Sequence, residues 1–162
     1  MKQYALVTGA SSGIGLCYAR TLARDYHYNV LLVSNQEQAL QDAAATIHNE
    51  YSVETQSFCI DLAKAQAADK VYAYCKEHEI AVEVLINDAG MLIFEPLSSV
   101  PAAKLHTMLM LHVVTMTHLC RLFGNDMAAA GHGYILNMSS MTAWMAMPGI
   151  QCYNATKSYV LN

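Results

Sequence analysis

Five short apolar runs, each set off by stretches of helical character, do most to limit what this chain can fold into. YALVT (4–8), NVLLVS (29–34), VETQSFCI (53–60), VEVLIN (82–87) and GYILNMS (133–139) read as strands. Helices are expected from Gly13 to about Asp25, from about Glu37 to Glu50 and from about Lys64 to His78. A long helical stretch covers roughly Pro101–Ala130, and another helix runs from Tyr153 onward. Strands that are apolar almost throughout, rather than alternately, are covered on both faces. Strands separated by helices pair in parallel through right-handed crossovers. The predicted fold is therefore α/β, a doubly wound parallel sheet. With no internal repeat and no linker composition in its 162 residues, one domain spanning 1–162 is expected.

Composition narrows the function classes. Hydrophobic residues make up 54% and charged residues 14%, which is a globular rather than a disordered balance. Net charge is −4 and no Lys/Arg cluster occurs, which argues against a broad footprint for nucleic acid or an anionic membrane. The longest apolar candidate for a membrane span, MLMLHVVTMTHLC, is interrupted by His112 and His118 and falls short of about 18 residues. MKQYALVTGA carries too short an apolar stretch for a signal-peptide core. Five scattered cysteines without C-x-x-C read as reduced thiols, and so as a cytoplasmic protein.

The first strand runs into TGASSGIG, with Gly9, Gly13 and Gly15 in the spacing T-G-x-x-x-G-x-G. Glycine is needed where main chain must approach a pyrophosphate closely. The helix that follows offers free N–H groups and a positive dipole end. Gly9, Ser11, Ser12, Gly13, Ile14 and Gly15 are thus candidate cofactor-binding residues, and the fold becomes a Rossmann-type nucleotide-binding sheet. The second strand ends in Ser34–Asn35, with Glu37 beyond it. No carboxylate there repels a 2′-phosphate and no arginine attracts one, so the reading leans to NADP, with NAD possible, and places Asn35 at the ribose. Asp61 and Leu62 are candidate adenine contacts; a helix N-cap is an equally good reading of Asp61.

Taken with NDAG (87–90), NMSS (137–140) and YNATK (153–157), the glycine motif resembles the short-chain dehydrogenase/reductase family in order and placement. YALVTGASSGIG and YILNMSSMTAW also resemble members that reduce 3-oxoacyl or steroid-type ketones. The resemblance implies an NAD(P)-dependent oxidoreductase moving hydride between nicotinamide and a carbonyl or secondary alcohol. Asn87, Ala89 and Gly90 then join the cofactor site. Ser140 would hydrogen-bond the substrate oxygen, and Tyr153 would donate or accept its proton. A free tyrosine titrates near pH 10, and the charge of Lys157 would favour the phenolate while its ammonium holds the nicotinamide ribose. The spacing of four puts phenol and ammonium on one helical stripe. Tyr72 and Lys76 share that spacing but have no place in the family order, and read as helix surface.

Three departures stand out. His112 occupies the position of the family's helix asparagine, which supports a proton relay to the lysine; it is a candidate catalytic residue or simply a histidine satisfied in helix packing. Its neighbours His106 and His118 are six residues away on either side and so point elsewhere, which makes a metal site improbable. Asp88 replaces an asparagine of N-N-A-G. Family members also continue well past the Y-x-x-x-K lysine, so the chain is expected to be C-terminally truncated. Its fifth strand would then form an open edge and the substrate pocket would lack a lid, with Met141, Trp144, Met145 and Met147 available to line an apolar substrate site. The expected partner is a small carbonyl or alcohol substrate, with homo-oligomers through the two long helices if full length. The alternative reading is a dinucleotide-binding fragment without turnover.

Overall fold

The computed structural model describes residues 2–145 and 147–162. Five strands, β1 (Lys2–Thr8), β2 (Asn29–Ser34), β3 (Thr55–Cys59), β4 (Ile80–Asn87) and β5 (Tyr134–Asn137), form one sheet in the order β3-β2-β1-β4-β5. Every pairing is parallel. The helices are α1 (Gly13–Tyr26), α2 (Glu37–Tyr51), α3 (Ala67–Glu77), α4 (Ala102–Leu109), α5 (Met116–Ala130) and α6 (Gln151–Leu161).

Side chains alternate across the sheet, and each face has its own core. Leu6, Leu31, Val33 and Leu85 pack with Val71 and Cys75 of α3 and Leu119 and Phe123 of α5. On the other face Val7, Val30, Leu32 and Ile86 meet Ala19 and Ala23 of α1 and Leu40 and Ile47 of α2. Each fully buried aliphatic side chain of this kind contributes about 1.5–3 kcal/mol relative to exposure. The apolar runs of β1 and β2 are therefore explained by two covering layers.

Chain order reverses direction across the sheet between β1 and β4. Ligands in open α/β sheets sit outside the carboxyl ends of strands at such a switch point. Here those ends lead into Gly9 and into Asp88–Gly90.

Two expectations are corrected in detail. The long helical stretch is interrupted: α4 and α5 are joined by a π-helical turn, Met110–Thr115, that carries His112. Such turns are frequent at functional sites and have no simple periodic signature. β5 is also shorter than the apolar run that announces it, and Met138 to Ser140 leave the sheet before a 3₁₀ turn at Met141–Trp144. Among the described residues no helix is long and apolar enough to cross a membrane.

Candidate active site

The glycine motif divides into two kinds of position. At Gly9 (φ +70°) an added Cβ would stand 3.0 Å from the Ala89 main chain, and at Gly15 it would stand 2.5 Å from the Gly9 carbonyl oxygen. These two let β1, α1 and the segment after β4 pack together. Gly13 (φ +57°) has nothing within 4 Å of its missing Cβ and faces open space. Thr8 completes the junction: its Oγ1 accepts from the N–H groups of Asp88 and Ala89 at 3.0 and 3.1 Å. Ser12 is the N-cap of α1 but makes no side-chain cap, and no acidic residue lies in the first turn. The start of the helix therefore keeps donors to offer to an anion.

A cleft of about 830 Å³ opens from this junction. Gly9, Ser11, Ser12, Gly13 and Ile14 line one end, with Asn35, Asp61 and Leu62 beside them. Ala89, Gly90, Ser140, Tyr153 and Lys157 line the rest. Ser11 and Ser34 share a hydroxyl hydrogen bond of 2.9 Å, and Gln36 donates its amide to Asn35 at 3.1 Å, so the tip of β2 offers only uncharged groups, with the Asp61 carboxylate across from it in the lining. Asp61 is not the N-cap of α3, which starts six residues later; its Oδ1 accepts from the Ala63 N–H at 2.9 Å and closes a turn. The shape and the free α1 donors suit an extended, doubly phosphorylated ligand.

Three candidates lie outside the cleft lining. Gly15 is beneath it, as described. Asn87 is buried at the end of β4, where its Nδ2 donates to Asn137 Oδ1 at 2.8 Å and joins β4 to β5. His112 is buried behind Gly90, whose absent Cβ would stand 3.1 Å from His112 Nε2. His106 and His118 are exposed.

Both ring nitrogens of His112 are engaged. Nε2 accepts from the Met91 N–H at 2.9 Å, so the proton of the neutral ring is on Nδ1, which donates to Thr156 Oγ1 at 2.9 Å. Thr156 in turn donates its hydroxyl to the Tyr153 carbonyl at 2.8 Å. Burial, and after it the charge of Lys157, pushes His112 down to about 4, which keeps it neutral. It thus ties the segment after β4 to α6 and touches the edge of the Tyr153 ring at 5.7 Å between centroids.

Helix α6 carries Tyr153 and Lys157 into the cleft. The buried Lys157 donates Nζ to the Met138 carbonyl at 2.6 Å, and Ser139 donates to the Lys157 carbonyl at 2.8 Å. Burial lowers the Lys157 ammonium below its ordinary range, and Asp88 opposes that shift. Its Nζ is 5.6 Å from the centre of the Tyr153 ring. Ser140 accepts from the N–H and hydroxyl of Thr142 at 3.2 and 3.0 Å, which leaves its own proton to give.

A family model described as short chain dehydrogenase matches residues 3–162. The chain belongs to the short-chain dehydrogenase family. It is 30% identical, over 98% of its length, to very-long-chain 3-oxoacyl-CoA reductase-A of Danio rerio. The chain spans about half the length of the curated relatives it matches. Among solved structures, a short-chain dehydrogenase from Sphingobium yanoikuyae in complex with NADPH superposes with a TM-score of 0.91 at 28% identity, over 99% of this chain and 62% of that one. The bulky-bulky ketone specific alcohol dehydrogenase from Comamonas testosteroni gives 0.91 at 29%, over 99% and 64%.

Sequence reasoning passed over several parts of this short-chain dehydrogenase site. Thr8 was visible within the glycine motif, but its bond to the segment after β4 was not. Thr156, the Met138 carbonyl and Ser139 act through folded proximity, which no spacing reveals. The Tyr72–Lys76 pair is more than surface: both side chains bond Asp126 of α5, at 3.0 and 2.7 Å, and clamp α3 to α5.

Proposed function

We propose that the chain forms the dinucleotide-binding part of an NAD(P)-dependent oxidoreductase acting on a carbonyl or secondary alcohol. The observation that carries this reading is the convergence on one cleft of the open glycine junction with Ser140, Tyr153 and Lys157. The N–H groups at the start of α1 would hold the diphosphate. Lys157, fixed by the Met138 carbonyl, would hold the nicotinamide ribose and set positive charge beside the phenol. Bound there, the nicotinamide supplies or accepts the hydride. Ser140 would donate to the substrate oxygen and orient it, while Tyr153 Oη gives that oxygen a proton in reduction and takes it back in oxidation. His112 positions α6 rather than relaying a proton, because both of its nitrogens are occupied.

The neutral corner at Ser34–Asn35 tolerates a 2′-phosphate, and NADP is the favoured form; the NADPH held by the Sphingobium relative supports that choice. Met91, Leu92 and Leu111 give the cleft an apolar lining, which favours an apolar ketone, whereas Met141 and Trp144, expected from the sequence to line it, stand 72% and 74% exposed and are not part of that lining. The 3-oxoacyl name of the zebrafish relative agrees with this substrate class.

The test is a panel of apolar ketones with NADPH. Tyr153→Phe should abolish reduction and leave cofactor affinity within about twofold, the signature of a group needed only in the transition state. Full activity in that variant would remove the assigned proton donor. A second reading, dinucleotide binding without turnover, is favoured by the exposure of Met141 and Trp144, which add no wall to the cleft; it predicts a cofactor signal with no reduction of any ketone.

A further inference from the structure

A carboxylate stands inside the cleft where an anion would be held. Asp88 follows β4 and lines the cleft. Its main chain is fixed by Thr8, and the Gly15 N–H, in the first turn of α1, acts on its carboxylate. A Cβ on Gly15 would stand 3.0 Å from Asp88 Oδ2. That N–H is one of the donors a helix start otherwise offers to a bound anion. From α6 the Lys157 ammonium acts on the same carboxylate.

The surroundings hold few other charges. The Gly9–Ser12 loop and the first turn of α1 contribute no ionisable side chain. The π-helical turn contributes His112, held neutral, and α6 adds Tyr153 beside Lys157. Asp61 lines the cleft after β3. Burial holds the Asp88 carboxyl above the usual carboxylate range, despite the opposing Gly15 N–H and Lys157.

We propose that Asp88 is a resident anion of the cleft beside the glycine junction, and that a dinucleotide binds with partial uptake of a proton at its carboxyl. The proposal rests on the dinucleotide reading above. The proton comes from solvent, and no bond of the ligand changes. Once neutral, Asp88 no longer opposes the diphosphate, and the attraction of Lys157 is directed at the ligand. The sign follows from linkage. At pH values where Asp88 is protonated in both states, affinity does not vary. Above its titration in the free protein, affinity falls as pH rises, and it levels once the bound form also ionises.

The probe is NADH, titrated by its fluorescence from about pH 5 to about pH 8; it lacks the 2′-phosphate monoester, a group that titrates near pH 6. Wild-type affinity should fall about tenfold across the range. Asp88→Asn should show a flat profile and bind about tenfold more tightly at the alkaline end. Calorimetry of the wild type in two buffers of different ionisation heat should register fractional net proton uptake over the pH range in which affinity falls, and this readout needs no variant. PH-independent affinity with no proton uptake overturns the proposal and leaves the dinucleotide reading standing. Folded protein that binds neither NADH nor NADPH at any pH removes both.

Discussion

The middle of the sheet and its β5 edge behave differently although their sequences look alike. Leu6, Leu31 and Leu32 of the middle strands are wholly buried, whereas Tyr134, Ile135 and Leu136 of β5 are 68%, 37% and 36% exposed. NVLLVS and GYILNMS are both apolar runs, so hydropathy alone assigns them equal rank. What separates them is neighbours: β2 has strands on both sides and helices on both faces, while β5 pairs only with β4. The same division runs through the site. The glycine end is built from main chain locked by Thr8, whereas Met141 and Trp144, which follow β5, stand exposed outside the cleft lining.

The largest effect should come from Leu31→Ala, which removes a side chain packed in the sheet core and should cost about 2–5 kcal/mol in urea unfolding. Ile135→Ala on the exposed strand should cost no more than about 1 kcal/mol. Equal losses would break the contrast between the middle of the sheet and its edge.

His112 should come next. Its proton affinity is depressed in the folded state, from 6.5 to about 4, so the unfolded chain binds more protons between those values. Its contribution, about 3 kcal/mol as an order of magnitude, is therefore complete above about pH 6.5 and is lost as pH falls through about pH 4. The stability gap between wild type and His112→Gln should shrink over that window; a constant gap would mean that the histidine does not titrate as its burial demands.

A smaller loss, about 1 kcal/mol, is expected from Asp126→Ala in thermal unfolding, because Lys76 and Asp126 are both near half-exposed and the Tyr72 hydroxyl can turn to water. Tyr134→Thr should leave stability nearly unchanged and raise solubility, since it blunts an exposed strand edge. A large fall in stability there would show β5 to be packed more closely than its exposure indicates.

The succession of strands and helices along the chain and the glycine junction were legible because each rests on local pattern: buried apolar runs, glycine where Cβ has no room, a helix directly after; the order of the strands within the sheet rests on distant pairing and was not. Tyr153 and Lys157 were legible for the same reason, as one stripe of α6. The π-helical turn was not, because Met110–Thr115 continues the apolar content of α4 without a proline or glycine to mark it. Nor were the two bonds of His112, whose partners lie 21 and 44 residues away. The expectation that His112 might serve a proton relay came from position alone, whereas its function in the folded chain depends on what its nitrogens touch. Asp88 reads in the sequence only as a replacement for an asparagine in NDAG, and its closeness to Gly15 is visible only in the folded chain.

The central claim is that the open glycine junction receives a dinucleotide, and Gly13 allows it to be tested with little disturbance to packing. Asparagine tolerates a left-handed backbone better than other side chains, and Gly13 has no neighbour within 4 Å to clash with, so Gly13→Asn should fold while placing an amide in the ligand's path. Titration with NADPH, followed by its fluorescence, should give saturable binding in the wild type and at least about tenfold weaker binding in the variant. Absence of a saturable signal in folded wild type, or equal affinity in the two proteins, would contradict the account.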